Sequence, residues 1–270
     1  MDDQQFRQLL DFFGLSWKGY RKVRKGVKKR VGRYMQEHGF HSMEEFLWTL
    51  EGNREQRGQG EKLMTVSISR FFRDRGLWQA VEKYLLPEIV AREVQKIKVW
   101  SAGCACGEEV YSFKILWDRL RDRYKRLPEL ELWATDLNPE LLYRAQTGIF
   151  SLSSLKEVPE EWRTRYFSQV KEKYFAVSDF LKEKIFWKVH NLLADDPPLT
   201  GFQILFLRNN LLTYYQEEIQ SSTLSRAIGG LEWGGFLIIG SHEKLPGLFF
   251  ELKPFPHHPN IFQKYEDQKF

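Results

Sequence analysis

Cysteine is nearly absent from this chain: among 270 residues there are two, Cys104 and Cys106, one residue apart. So few exclude a disulfide-stapled scaffold, their spacing is too short for an ordinary bridge, and two thiolates alone leave a zinc site incomplete. Both read as small residues filling a tight turn, in a reducing, cytoplasmic setting, and no metal is assigned. Long apolar runs are missing too. Nothing approaches the roughly 20 residues of a membrane-spanning helix, and the densest stretch, "FLIIG" at 236–240, reads as a buried strand. The opening "MDDQQFRQLL" is acidic and then amphipathic, which argues against a signal peptide. Acid is also missing where basic residues are densest. Between Trp17 and Arg33 the chain holds nine Lys or Arg and no Asp or Glu, although its net charge is just +5.

What is present indicates a packed globular protein. Hydrophobic content of 42% and aromatic content of 15% exclude a disordered chain, and 270 residues suffice for one α/β domain with a smaller appendage. The first sixty residues read as helices at 4–13, about 18–37 and 42–52, the last opened by Ser42 and Glu45 as a capping box. In the second of these, Val23, Val27 and Val31 form a buried stripe with Tyr20 and Tyr34 nearby, and the cations fall on the other face. That basic face is either a solvated surface or an electrostatic dock for nucleic acid or an acidic protein. "GNREQRGQG" (52–60) reads as a turn or short connection, and 76–95 as helix. The expected divisions are 1–62, a small helical domain carrying the basic helix; 63–96, a linker and helix; and 97–270, the main domain.

From residue 97 strands alternate with helices: "IKVWSA", helix 108–123, "ELWAT", helix 139–146, "FWKVH", "FQILFL", helix 216–229, "GGFLIIG". The pattern predicts a doubly wound, mostly parallel α/β sheet, whose ligands bind at the carboxyl ends of strands near the switch point. The first strand runs into "SAGCACGEE", where Gly103 and Gly107 bare the backbone. A dinucleotide fingerprint needs G-x-G-x-x-G, and a phosphate loop needs Lys after its last glycine; this loop has neither, and Glu108 and Glu109 stand where that Lys would be. Asp136 closes the second strand, where a ribose diol is usually held. "HNLL" (190–193) follows the third strand and "LRNNLL" (207–212) the fourth. Acids beside the loop suit a ligand with positive charge, and S-adenosylmethionine fits both ends of the crevice. Glu108 also reads simply as an acid favourable at the start of a helix, His190 as a structural strand-end residue, and the His257–His258 pair as part of a Pro-rich tail.

Together, "KVWSAGCACGEEVYS", "WATDLNPELLYRAQTGIFS", "FWKVHNLL", "FLRNN" and "GGFLIIGSHEKLP" closely resemble the CheR-type chemotaxis receptor methyltransferases. "SISRFFRD" (67–74) resembles that family's Asn-Leu-Thr-x-Phe-Phe-Arg segment, and the likeness covers nearly the whole chain in order. It implies a Rossmann-like S-adenosylmethionine-dependent methyltransferase sheet with a small all-helical N-terminal domain, acting on glutamate side chains of bacterial chemoreceptors or a related signalling protein. Carried over by position, it implies cofactor contacts from Ser67, Ser69, Arg73, Gly103, Gly107 and Glu109. Asp136 would hold the ribose, Asn191 and Leu192 the adenine, and Arg208 with Asn209 the pocket floor. The basic helix, through Arg24, Lys25, Lys28 and Lys29, would dock acidic receptor helices.

The chain departs from the family in two places. Ser67 and Ser69 stand for Asn and Thr. Where the family continues Arg-Asn-Val-x-Ile-Tyr-Phe, this chain reads "RNNLLTYY", with Thr213 at the tyrosine position and Tyr214 one place later. The catalytic candidates are therefore Arg73, Thr213 and Tyr214. Two alternatives stand beside this reading. One is a nucleic-acid methyltransferase gripping phosphates with the basic helix, although "DDPPL" (195–199), similar to an Asp-Pro-Pro-Tyr signature, precedes the fourth strand instead of following it. The other is a signalling module that binds cofactor but is catalytically impaired.

Overall fold

The computed structural model describes residues 1–247 and 249–265; the last five residues of the 97–270 span lie outside it. The chain forms two units: residues 1–67 with 209–221, and residues 68–208 with 222–270. This differs from the expected divisions at 62 and 96. Residues 68–96 of the segment read as linker and helix belong to the sheet-bearing unit, and a short stretch beyond the fourth parallel strand, 209–221, belongs to the helical one.

The helical unit holds α1 (Asp3–Phe12), α2 (Trp17–Tyr20), α3 (Arg24–Glu37), α4 (Met43–Gly52) and α5 (Arg54–Met64). Asp2 and Gln5 close a reciprocal capping box at α1. Ser42 accepts from the Glu45 N–H at 3.1 Å, but the Glu45 carboxylate reaches the N–H of His41, so only half of the expected box forms there. Phe6, Leu9, Leu10, Val27, Val31, Phe46 and Leu50 make the core, each contributing roughly 1.5–3 kcal/mol by burial. The single helix expected at 18–37 is broken between α2 and α3. The connection expected at 52–60 is instead helix α5, capped by the Asn53 Oδ1, which accepts from the N–H groups of Glu55 and Gln56.

In the sheet-bearing unit, α6 (Arg75–Ala80), a π-turn (Val81–Leu85) and α7 (Leu86–Val90) form one helical run. Pro87 explains the π-turn: it has no N–H to continue the ladder, and the Leu86 N–H bonds instead to the Val81 carbonyl, five residues back. The main strands are β1 (Lys96–Ala102), β2 (Glu129–Asp136), β6 (Ile185–Val189), β7 (Phe202–Leu207), β8 (Leu231–Ile239), β9 (Leu252–Phe255) and β10 (His258–Lys264). Their spatial order is β6-β2-β1-β7-β8-β10-β9. The first five are parallel, whereas β10 is antiparallel to both β8 and β9. The doubly wound expectation is borne out. Strand β7, "FQILFL", is buried along its whole length, as a central strand covered on both faces must be. The crossovers are α8 (Glu108–Leu120), α9 (Pro139–Thr147) and α12 (Glu217–Gly229), and α10 (Glu160–Tyr166) is shorter; α11 (Leu211–Tyr214) and the start of α12 lie in the stretch assigned to the helical unit. Three further strands, β3 (Ile149–Ser151), β4 (Phe167–Lys171) and β5 (Tyr174–Val177), pair as a small antiparallel sheet in the order β3-β5-β4. The chain order reverses on either side of β1, which puts the switch-point crevice at the carboxyl end of that strand.

Candidate active site

Strand β1 leads into a loop whose backbone alternates between ordinary and left-handed conformations: φ is +76° at Gly103, +50° at Ala105 and +89° at Gly107. The N–H groups of Gly103 and Cys104 both donate to the Thr135 carbonyl, at 2.8 and 2.9 Å, tying the loop to the end of β2. Glycine meets the left-handed demand at little cost. Ala105 meets it because its N–H is held by the Asp136 Oδ2 at 2.9 Å. Gly107 has a second reason: a Cβ there would stand 2.9 Å from the Ala145 Cβ and 3.3 Å from the Tyr111 ring. Both cysteines are free and buried in this turn. Burial pushes both thiols up, Cys106 to about 11, so neither is a thiolate at neutral pH.

Asp136 is only 8% exposed. Its Oδ1 accepts from the Asn138 N–H at 2.9 Å, while Oδ2 holds Ala105. Burial pushes the carboxyl up, against the pull of the Asn138, Ala105 and Leu137 amides. Each oxygen keeps a second lone pair, so the carboxylate is fixed in place yet still able to accept from a diol. His190 follows β6. Its N–H donates to the Asp136 carbonyl at 3.0 Å and its Nε2 to the Asp196 carbonyl at 2.9 Å, the structural part read for it. Asn191 shapes the next turn, accepting from the Leu193 N–H at 3.0 Å, and the carbonyl of half-buried Leu192 accepts from Arg226 at 2.9 Å.

The two acids after Gly107 part ways. The Glu109 Oε1 accepts from the Ser101 hydroxyl at 2.7 Å, and its Oε2 pairs with the Arg208 Nη1 at 3.0 Å. Arg208, read as pocket floor, is a buried fork. Its Nη2 donates to the Asp74 Oδ2 at 2.8 Å and to the Arg73 carbonyl at 2.9 Å. Glu108 is buried in the first turn of α8, and its Oε2 has no partner. Burial pushes its carboxyl up. Arg73 is half-buried and its Nη1 donates to the Ile68 carbonyl at 3.1 Å. Asp74 and Ser101 were missed from the sequence, although Asp74 directly follows Arg73 in "SISRFFRD".

One unit therefore holds Ser69, Arg73, Gly103, Gly107, Glu109, Asp136, Asn191, Leu192 and Arg208, and the other holds Ser67, Asn209, Thr213 and Tyr214. In the helical unit the Tyr214 ring packs edge-on against Tyr20, with centroids 5.2 Å apart, and its carbonyl accepts from the Ser16 N–H at 2.7 Å. The Thr213 carbonyl lies where a Cβ on Gly19 would be. Of the four expected docking cations, Lys28 pairs with Asp3 at 2.8 Å and Arg24 sits 4.9 Å over the Trp17 ring. Lys25 and Lys29 are exposed.

A doubly wound sheet with a glycine-bent first loop, a fixed acid at the second strand end and acids where a phosphate loop has its lysine defines a nucleoside-cofactor site suited to a cationic ligand. Residues 67–256 match the family described as CheR methyltransferase, SAM binding domain. A chemotaxis protein methyltransferase of Listeria monocytogenes is 30% identical over 220 residues, 81% of each chain. Another, Cher2 of Pseudomonas putida, is 28% identical over 228 residues, 82% of each chain. A 104.1 kDa protein of Rhodobacter capsulatus is 28% identical over 221 residues, but the matched part is only 23% of that protein. The solved structure of a TehB-like SAM-dependent methyltransferase from Corynebacterium glutamicum covers 79% of this chain and 95% of its own, at 15% identity and a TM-score of 0.36.

The chain belongs to the CheR methyltransferase family, and its cofactor is S-adenosylmethionine. The resemblance read from its motifs is borne out. No helix among the described residues is long and apolar enough to cross a membrane.

Proposed function

We propose that this protein methylates glutamate side chains of bacterial chemoreceptors, or of a closely related signalling protein, in the cytoplasm. Relatives named chemotaxis protein methyltransferases support the substrate class. The observation that carries the reading is the carboxylate of Asp136, held by two backbone amides beside the glycine-bent loop, where a ribose diol is to be gripped.

When bound, the cofactor supplies a methyl group on a sulfonium, open to in-line displacement by a carboxylate oxygen. The protein has little proton chemistry to perform, because a glutamate with a pKa of roughly 4.3 is already ionised at neutral pH and needs no general base. Its work is alignment and exclusion of water. Asp136 anchors the nucleoside, Gly103 and Gly107 let the loop backbone approach it, and Asn191 and Leu192 border the base. Arg73 orients the carboxylate end of a reactant through its forked donors. Thr213 in place of the family tyrosine fits a step in which a phenol is dispensable.

The test is transfer of labelled methyl from the cofactor to a receptor cytoplasmic fragment, with mass spectrometry of the product. The expected result is base-labile label on glutamate. Label on RNA alone, or cofactor binding without transfer to protein, overturns the proposal. Tyr214→Phe is expected to lower transfer less than about ten-fold, whereas loss of a working general acid or base costs roughly a hundred-fold or more.

A further inference from the structure

The strap Ile68–Asp74 is bent sharply on both sides of Arg73. Phe72 lies at φ +50° and Asp74 at φ +67°, both left-handed. For a residue as bulky as phenylalanine this is a genuine outlier, sustained only where the surroundings enforce it. They do so at both ends. On one side the Phe71 N–H donates to the Ser154 carbonyl and the Phe72 N–H to the Ser112 Oγ, each at 3.0 Å. On the other, Arg208 reaches the Arg73 carbonyl and the Asp74 carboxylate with one nitrogen.

Asp74 stands at the N-cap of α6 but makes no capping bond with its side chain. An aspartate at that position ordinarily caps the helix; this one turns to Arg208. Burial opposes its charge, yet the Arg208 guanidinium helps hold the carboxyl below the usual carboxylate range. As a device for stability alone the Glu109–Arg208–Asp74 cluster is poor. It removes three charges from water and leaves the buried Arg208 Nε without a partner. What it supplies is direction: the planar guanidinium addresses the strap with one nitrogen and the start of α8 with the other, in fixed relation.

We propose that Asp74 is a positioning residue: acting through Arg208, it locks the strap that carries Arg73 onto Glu109, so that strap and glycine-bent loop meet the cofactor as one preformed surface. The lock rests on the reading of Arg73 as a residue of the cofactor and substrate site.

The test uses the full chain and two readouts. Without cofactor, Asp74→Asn is expected to speed hydrogen exchange at the Phe71 and Phe72 amides at least about ten-fold. Arg208→Lys, whose single point charge cannot span two segments, should do the same and stands in if the first variant folds poorly. With S-adenosylhomocysteine as the probe in calorimetry, Asp74→Asn should weaken binding about ten-fold in the native background and less than two-fold on top of Arg73→Ala, because the two changes break one linkage. Equal losses in both backgrounds, or unchanged exchange in the strap, overturn the proposal. If the unaltered protein shows no binding heat, the reading of the site fails instead, and the exchange experiment alone decides the lock.

Discussion

Replacing Gly107 by alanine separates two physical demands at one position. The first is conformational: φ is +89°, a region in which an L-residue costs about 1–2 kcal/mol. The second is steric: the new methyl would stand 2.9 Å from the Ala145 Cβ, with Tyr111 and Trp187 carbons at 3.3 and 3.4 Å. Overpacking of that kind costs about 1–3 kcal/mol. Gly107→Ala is therefore expected to destabilise the protein by about 2–5 kcal/mol, a fall in Tm of about 5–15 °C for a chain of this size. Ala145→Gly in the same chain relieves only the steric part, so a double-mutant cycle by thermal denaturation should return a favourable coupling of about 1–2 kcal/mol. A fall in Tm below 2 °C, or strict additivity in the cycle, refutes the reasoning.

Glu108 gives a prediction in pH. Its carboxyl is raised by burial in the folded protein, so the folded state binds the proton more tightly and stability grows as pH falls from the raised value toward the unfolded one. The Tm difference between the native protein and Glu108→Gln should shift in the native protein's favour between pH 7 and pH 5; a difference that stays flat contradicts it. Gly32 lies inside α3 with nothing within 4 Å of a Cβ built there, so Gly32→Ala is expected to add about 1 kcal/mol of stability, read by denaturant titration. Reversing Lys25 and Lys29 to Glu should raise the KM for a receptor fragment and leave cofactor affinity unchanged. Lys28 is best left intact because its reversal would set two carboxylates against each other at Asp3. Unaltered receptor kinetics would remove the basic helix from the docking role.

The main sheet was legible because alternation between short apolar runs and amphipathic helices leaves few topologies, and "FQILFL" reads only as a central strand. The crevice was legible for the same reason: Gly103, Asp136, His190 and Arg208 each fall at or just past the end of a strand. What escaped was decided by tertiary packing. Helix α5 looks like a loop because Gly58 and Gly60 sit in a polar run, yet a Cβ at Gly60 would stand 2.8 Å from the Phe13 ring, so packing requires the glycine. The π-turn before Pro87 and the hairpin β9–β10, rich in proline, break the local patterns used to find helices and strands. The small sheet β3-β5-β4 has strands of three to five residues, too short for a period to register. In the site, the role of Glu109 was invisible because its partner, Arg208, lies 99 residues away.

The stretch 209–221 is returned to the helical unit after β7, so the polypeptide passes between the two units three times, at 67/68, 208/209 and 221/222. Cutting the first passage would not free the amino-terminal piece. Leu15 still bridges to Tyr215, and the Gln216 N–H still donates to the Gly14 carbonyl. Excising residues 1–67 by genetic truncation would strip the partners from that excursion and leave Tyr214 and Tyr215 without the core they pack against. The second passage begins at Arg208 itself, so the residue that ties strap to loop is also covalently the doorstep of the helical unit.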